Sequence, residues 1–237
     1  MKAIVLTYDH NTIITEHMIR CYEELWPNHP FVFRIPFQNE NRCITRSNRE
    51  YVRTSPAIKE TVLTLLEDLD DEEWIYWCID DRFPAFINTK QVSNFIEWIK
   101  QGKFSEISGL LFCRARNMAK NNFLTGESTV IEGELLLERK AYFKIWMHQF
   151  IQVKVIRTMF IGFPDIIIRA AQMDPMKNSL LKPIKHKLFV TDSDYAHYEE
   201  STIGGILTVN CLESLKSKCF KIPDWHTGEA VINPIIE

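Results

Sequence analysis

Uncharged apolar runs alternate along the first half of this chain with segments whose apolar residues recur at helical spacing. Lys2-Ala3-Ile4-Val5-Leu6 reads as a buried strand. Thr12 to Trp26 reads as a helix, with Ile14, Met18, Cys21/Tyr22 and Leu25 on one face. Pro27 ends it, and Phe31 to Ile35 is a second strand, so the unit is βαβ and the two strands are expected to be parallel. Ser55-Pro56 opens another helix, as cap and first helical position, with Ile58, Val62, Leu65/Leu66 and Leu69 inward. Trp74 to Ile79 carries no charge and reads as a strand buried on both faces, as inside a mostly parallel sheet. Thr89 to Lys100 is amphipathic, with Val92, Phe95/Ile96 and Ile99 inward, and Ile107 to Cys113 is a strand.

The second half is less regular. Ala115 to Thr125 reads as a polar loop, and Ser128 to Arg139 as one strand in which Glu132 and Glu134 alternate. Residues at alternating positions share a face, which must be wet or line a cleft. Ala141 to Gln152 reads as a helix, and Ile161 to Asp165 turns into a short helix reaching Gln172. Lys187 to Val190 is a late strand, Thr191 to Glu200 is polar, and Gly204-Gly205 allows a tight turn. The expected fold is α/β: a mostly parallel central sheet flanked by helices in a single domain, with a mixed C-terminal half.

Composition narrows the class. With 237 residues, 46% hydrophobic and 25% charged, the chain is long enough to bury a sizeable core. A net charge of −3 argues against a general nucleic-acid binder. The six cysteines are scattered, with no CxxC pair, which predicts reduced thiols in a cytoplasmic protein. No apolar run approaches the roughly 18 residues of a membrane span, and no export signal is visible. No repeat or low-complexity segment stands out.

Candidate chemistry gathers where the uncharged strand ends. Trp74–Ile79 runs straight into Asp80-Asp81-Arg82-Phe83-Pro84. Ligands in open α/β sheets bind beyond the carboxyl ends of strands, so two adjacent acids there resemble half of a metal and phosphate site. The plain alternative is a turn with two solvated aspartates. In the turn after the first strand, Tyr8 can stack on a nucleobase and Asp9 can accept from base or ribose. The equal alternative is a helix cap by Asn11 or Thr12. Arg42, Arg46, Arg49 and Arg53 are spaced to share one face of a helix, either as solvated surface or to grip a diphosphate.

Strand, turn and helix at the start, a capped helix before Trp74, and a strand ending at Asp80-Asp81 together resemble the GT-A glycosyltransferase fold. More narrowly, they resemble bacterial family-2-type sugar transferases of surface polysaccharide synthesis. The resemblance implies a nucleotide-sugar-binding half (1–114) and an acceptor-binding half (115–237). It implies donor binding by Thr7, Tyr8, Asp9, Arg46, Asp80, Asp81 and Arg82, with a divalent manganese or magnesium ion on Asp81 and Asp80. Leu135 to Phe143, a strand with the basic pair Arg139-Lys140 before a helix, and Phe163-Pro164-Asp165 fit the family's later order, which puts the catalytic base on Asp165 and leaves Glu132 and Glu134 for the acceptor. Two departures stand out. Arg82 occupies the place of the motif's last acid, so the metal is expected to be weakly held or dispensable, and Pro164 replaces the first member of the usual acid pair.

The implied reaction moves a sugar from a nucleoside-diphosphate sugar to a hydroxyl of a glycan or lipid-linked acceptor, with inversion. The implied place is the cytoplasm or the inner face of the membrane, by peripheral contact. Asp174, Glu132 and Glu134 are rival bases. A nucleotidyltransferase is the enzymatic alternative, disfavoured because Thr7 to Thr12 holds no glycine. A non-catalytic nucleotide- or carbohydrate-binding module is the other. Neither the sugar nor the oligomeric state is legible in the sequence.

Overall fold

The computed structural model describes residues 1–39, 46–140, 145–165, 170–180, 186–203, 205–217 and 221–232. Strand β1 (Lys2–Leu6) leads through a short 3-10 turn (Asp9–Asn11) into helix α1 (Thr12–Leu25) and then β2 (Val32–Phe37). There follow β3 (Arg49–Arg53), α2 (Ile58–Leu65), β4 (Trp74–Ile79), β5 (Arg82–Ile87), α3 (Thr89–Lys100), β6 (Gly109–Leu111) and α4 (Ala115–Lys120). The second half adds β7 (Leu124–Ile131), β8 (Glu134–Arg139), β9 (Gln149–Gln152), α5 (Val153–Gly162), α6 (Ala170–Leu180) and β10 (Leu188–Thr191). It closes with β11 (Ala196–Glu200), β12 (Thr202–Ile203), β13 (Ile206–Leu207) and α7 (Val209–Ser217).

Nine strands form one sheet in the order β3-β2-β1-β4-β9-β6-β10-β8-β7. Pairings of β1 with β2 and β4, of β2 with β3 and of β6 with β10 are parallel, while β9 and β8 run against their neighbours. Seven of the nine therefore point one way, the mostly parallel α/β sheet that the resemblance implies. The two halves of the sequence share it, because β9 and β10 flank β6. Strand alternation divides the core in two. Ala3, Val5, Tyr76 and Cys78 pack toward α1 and α3, whereas Ile4, Ile75, Trp77 and Ile79 pack toward α2 and α5. Beside the main sheet, β5 pairs antiparallel with β11, and β12 with β13. Among the described residues no helix is long and apolar enough to cross a membrane.

Several sequence expectations are corrected. The arginine segment is not a helical face: Arg49 to Arg53 is β3, parallel to β2, and Arg42 lies outside the described residues. Arg49 is buried because Glu16 and Glu23 of α1 wait for it, its Nη2 lying 2.9 Å from Glu16 Oε2 and its Nη1 2.7 Å from Glu23 Oε1. Spacing by three and four could not reveal that the partner acids sit on another element. Ser55 does not cap α2 directly; Ala57 holds that position, and Ser55 Oγ accepts from the Ala57 N–H at 3.2 Å.

Ser128 to Arg139 is not one strand but the β7–β8 hairpin. Its turn uses Glu132 and Gly133, with φ of 52° and 83°, a left-handed pair that hairpin turns demand and that glutamate seldom occupies. Glu132 and Glu134 therefore do not share a strand face. Ala115 to Lys120 is helix rather than loop. Within the segment expected to be helix up to Gln152, 141–144 lie outside the described residues and Gln149–Gln152 is strand β9, wholly buried between β4 and β6. Asp174 and Pro175 lie inside α6, not beyond a helix ending at Gln172.

Candidate functional site

At the carboxyl ends of β1 and β4, Thr7 and Asp80 meet. Asp80 Oδ2 accepts from Thr7 Oγ1 at 2.7 Å and from Asn11 Nδ2 at 2.8 Å, and Thr7 Oγ1 also lies 2.7 Å from Thr15 Oγ1. The strand period decides this meeting, because Asp80 continues the Tyr76–Cys78 face that looks toward α1. Asp80 is buried, and that burial, with the neighbouring Asp81 charge, pushes its carboxyl up to about 7 against the hydrogen bonds that favour ionisation. Asp81 is raised too, first by burial; Arg82 pulls it down and Glu200 pushes it up. Asn11, with Thr12 one of the two cap candidates in the alternative reading of this turn, holds the cap position of α1, but its side chain makes no cap bond and serves Asp80 instead.

Beta-strand β11 grips the turn from the far side. Arg82 Nη2 donates to Glu200 Oε1 at 2.9 Å, the Ser201 N–H donates to the Asp81 carbonyl at 2.8 Å, and Ser201 Oγ accepts from the Phe83 N–H. Arg82 Nε stands 3.9 Å from Asp81 Oδ1. In front of this turn lies a cavity of about 600 Å³, bounded by Tyr8, His10, Asn11, Ile13 and Ile14 at the amino end of α1, by Asp81, and by Thr202, Gly205 and Trp225. The Tyr8 ring is half exposed there. The Asn11 and Thr12 N–H groups are taken by the Tyr8 and Asp9 carbonyls, so what the α1 amino end offers a phosphate is the positive end of the helix dipole and the N–H groups of its first turn beyond Thr12.

The other expected site residues are elsewhere. Asp9 is beside the cavity but turned away, its carboxylate accepting from the Gln38 N–H at 3.0 Å and the Asn39 N–H at 2.7 Å. Arg46 pairs with Glu23 of α1 at 3.5 Å and does not line the cavity. Glu132 pairs with Lys103 at 2.5 Å. Glu134 accepts from the Tyr195 hydroxyl at 2.7 Å. Asp165 is 92% exposed and held by Lys59 of α2 at 2.5 Å, which keeps its carboxyl below the usual range. Sequence reading missed His10, Asn11, Thr15, Glu200, Thr202 and Trp225; only His10 and Asn11 stood close enough to Tyr8 and Asp9 to have been found.

The acids fit a divalent cation poorly. Asp80 Oδ2 already takes two hydrogen bonds, a guanidinium stands beside Asp81, and among the described residues no three His, Cys, Asp or Glu side chains converge on a metal position.

No family model matches the chain, and no curated protein does either. Solved structures do show likeness. S. aureus TarS is 12% identical at a TM-score of 0.49, over 82% of this chain and 59% of the TarS fragment, so this chain spans less than two thirds of it. Galactosyltransferase LgtC, solved with donor and acceptor sugar analogs, is 10% identical at 0.41, over 79% of this chain and 67% of LgtC. The Francisella tularensis 2-C-methyl-D-erythritol 4-phosphate cytidylyltransferase is 12% identical at 0.48, over 92% of this chain and 98% of its own. Glycosyltransferases and a nucleotidyltransferase thus stand side by side among the similar structures, while the α/β architecture rests on this chain's own strand order.

Proposed function

We propose that the chain is a GT-A-type glycosyltransferase, moving a sugar from a nucleoside-diphosphate sugar to a hydroxyl of a glycan or lipid-linked acceptor. The observation that carries this reading is the cavity that joins the amino end of α1, the exposed Tyr8 ring and Asp81 at the carboxyl ends of β1 and β4. Tyr8 stacks on the base, the α1 amino end receives the diphosphate, and Arg82 offsets charge as the diphosphate departs. The acceptor proton needs a base. His10 and Asp81 line the cavity and Asp165 does not, so the proton goes to one of those two. Attack from the face opposite the departing diphosphate inverts the anomeric carbon.

A thermal-shift panel of UDP, GDP, CDP and CMP, with and without manganese, tests the reading, because a ligand that binds only the folded state raises its apparent stability. Stabilisation by a nucleoside diphosphate is expected; no shift with any nucleotide overturns the proposal. A non-catalytic nucleotide-binding module is the second reading, favoured by the Arg82 guanidinium standing beside Asp81. Nucleotide binding with neither sugar transfer nor donor hydrolysis would select it.

A further inference from the structure

His148 lies immediately before β9, one residue beyond the last β4–β9 pair, Trp77 opposite Gln149. Its Nε2 lies 2.8 Å from the carbonyl oxygen of Ile79, the residue that precedes Asp80. A carbonyl can only accept, so Nε2 carries the proton. Complete burial keeps the ring neutral, pushing its pKa to about 3, and Nδ1 is then an acceptor. Tyr22 O–H donates to it at 2.5 Å. With its proton so used, the Tyr22 oxygen accepts from Tyr76 O–H at 2.8 Å, and the Tyr76 oxygen accepts from Tyr198 O–H at 2.7 Å. The chain of donors thus has one direction, from β11 through β4 and α1 to the exit of β4. Tyr22, Tyr76, Tyr198 and His148 are each at most 1% exposed, so no solvent competes for these bonds. Tyr198 also lies on the strand whose Glu200 holds Arg82 and whose neighbour Ser201 holds the Asp81 carbonyl.

We propose that His148 is a positioning residue for the acid pair: its imidazole fixes the end of β4 from the β9 side, and the three tyrosines fix the imidazole in the one tautomer that can do so. The geometry stands without any ligand; the consequence for donor binding rests on the function proposed above.

The test compares His148→Phe, which fills the space but makes neither bond, with His148→Gln, whose amide can both donate to Ile79 and accept from Tyr22. Hydrogen–deuterium exchange across residues 78–83 reads the turn with no ligand present, and calorimetric affinity for UDP reads the site. His148→Phe should exchange faster there and bind UDP about tenfold more weakly, the size of one lost buried hydrogen bond. His148→Gln should restore both to within about threefold. If His148→Phe does not fold, Tyr22→Phe, which removes only the hydroxyl that orients the ring, should show the same two changes at smaller size. Unchanged exchange in His148→Phe, or a Gln variant as impaired as Phe, overturns the proposal. In the Tyr22→Phe arm, unchanged exchange does the same. Faster exchange with no UDP binding even by the wild type leaves the positioning role in place and removes the donor reading instead.

Discussion

Thr7 and Asp80, separated by 73 positions, share a buried hydrogen bond of 2.7 Å that joins the carboxyl ends of β1 and β4. Parallel pairing of Leu6 with Ile79 brings these two next residues side by side, and strand alternation turns both toward α1. The bond keeps one acid buried and leaves its neighbour, Asp81, partly exposed in the cavity wall.

Asp80 should make the fold less stable as pH rises through the acidic range. Its folded value, about 7, is above the 3.8 of an unperturbed aspartate, so between about pH 4 and 7 the folded state holds the proton more tightly. Stability from this group is full below the unfolded value and is lost as pH climbs toward 7. In denaturant titrations from pH 4 to 8, the stability of the wild type minus that of Asp80→Asn should fall as pH rises, whatever other groups add to both; a difference that does not change with pH would rule this group out.

His17 acts with the opposite sign. Burial, with Arg20 nearby, pulls its pKa from 6.5 to about 4, and among the described residues its Nε2 has no hydrogen-bond partner. The unfolded chain therefore takes up a proton near pH 6.5 that the folded chain refuses, and stability falls from there toward pH 4. His17→Leu should flatten this acid limb and cost little at pH 8. A limb of unchanged slope would count against it.

Arg49 and Glu16 form an ion pair whose side chains are 1% and 8% exposed. Glu16→Gln leaves a buried guanidinium with weaker compensation, at a cost on the order of 3 kcal/mol. Glu23, still 2.7 Å away, keeps the loss from being larger. Urea midpoints of Glu16→Gln and of Tyr51→Phe, which loses the hydroxyl bond to Glu16 but keeps both charges of the pair, should differ clearly.

Metal dependence should turn on Arg82. With a guanidinium beside Asp81, nucleotide affinity in EDTA should stay within a few-fold of that in manganese, and Arg82→Asp should make binding manganese-dependent. Calorimetry under both conditions checks it. Full loss of wild-type binding in EDTA would show that Asp80 and Asp81 suffice for a cation.

The proton acceptor is testable by contrast. His10→Gln or Asp81→Asn should lower sugar transfer by on the order of 10²–10⁴-fold. Asp165→Asn should only release Lys59 and leave transfer nearly unchanged. A collapse of transfer in Asp165→Asn, with donor affinity kept, would return the base to that residue.

Periodicity and punctuation were enough for the elements that carry their own pattern. Trp74–Ile79 and Thr89–Lys100 came out with the observed limits because an uncharged six-residue run and an amphipathic repeat each suit one period. The acid pair was legible for the same reason: its position depends only on where one strand ends. Tertiary structure decided the rest. Gln149–Gln152 is too short to distinguish strand from helix by period, and becomes a strand because β4 and β6 both offer edges to it. Arg49 is core rather than surface because Glu16, 33 positions earlier, supplies its countercharge. Asn11 turns from cap to partner of Asp80, and Asp165 goes to Lys59, for a shared reason. A side chain's partner is set by which elements pack together, and that depends on long-range pairing that no local spacing encodes.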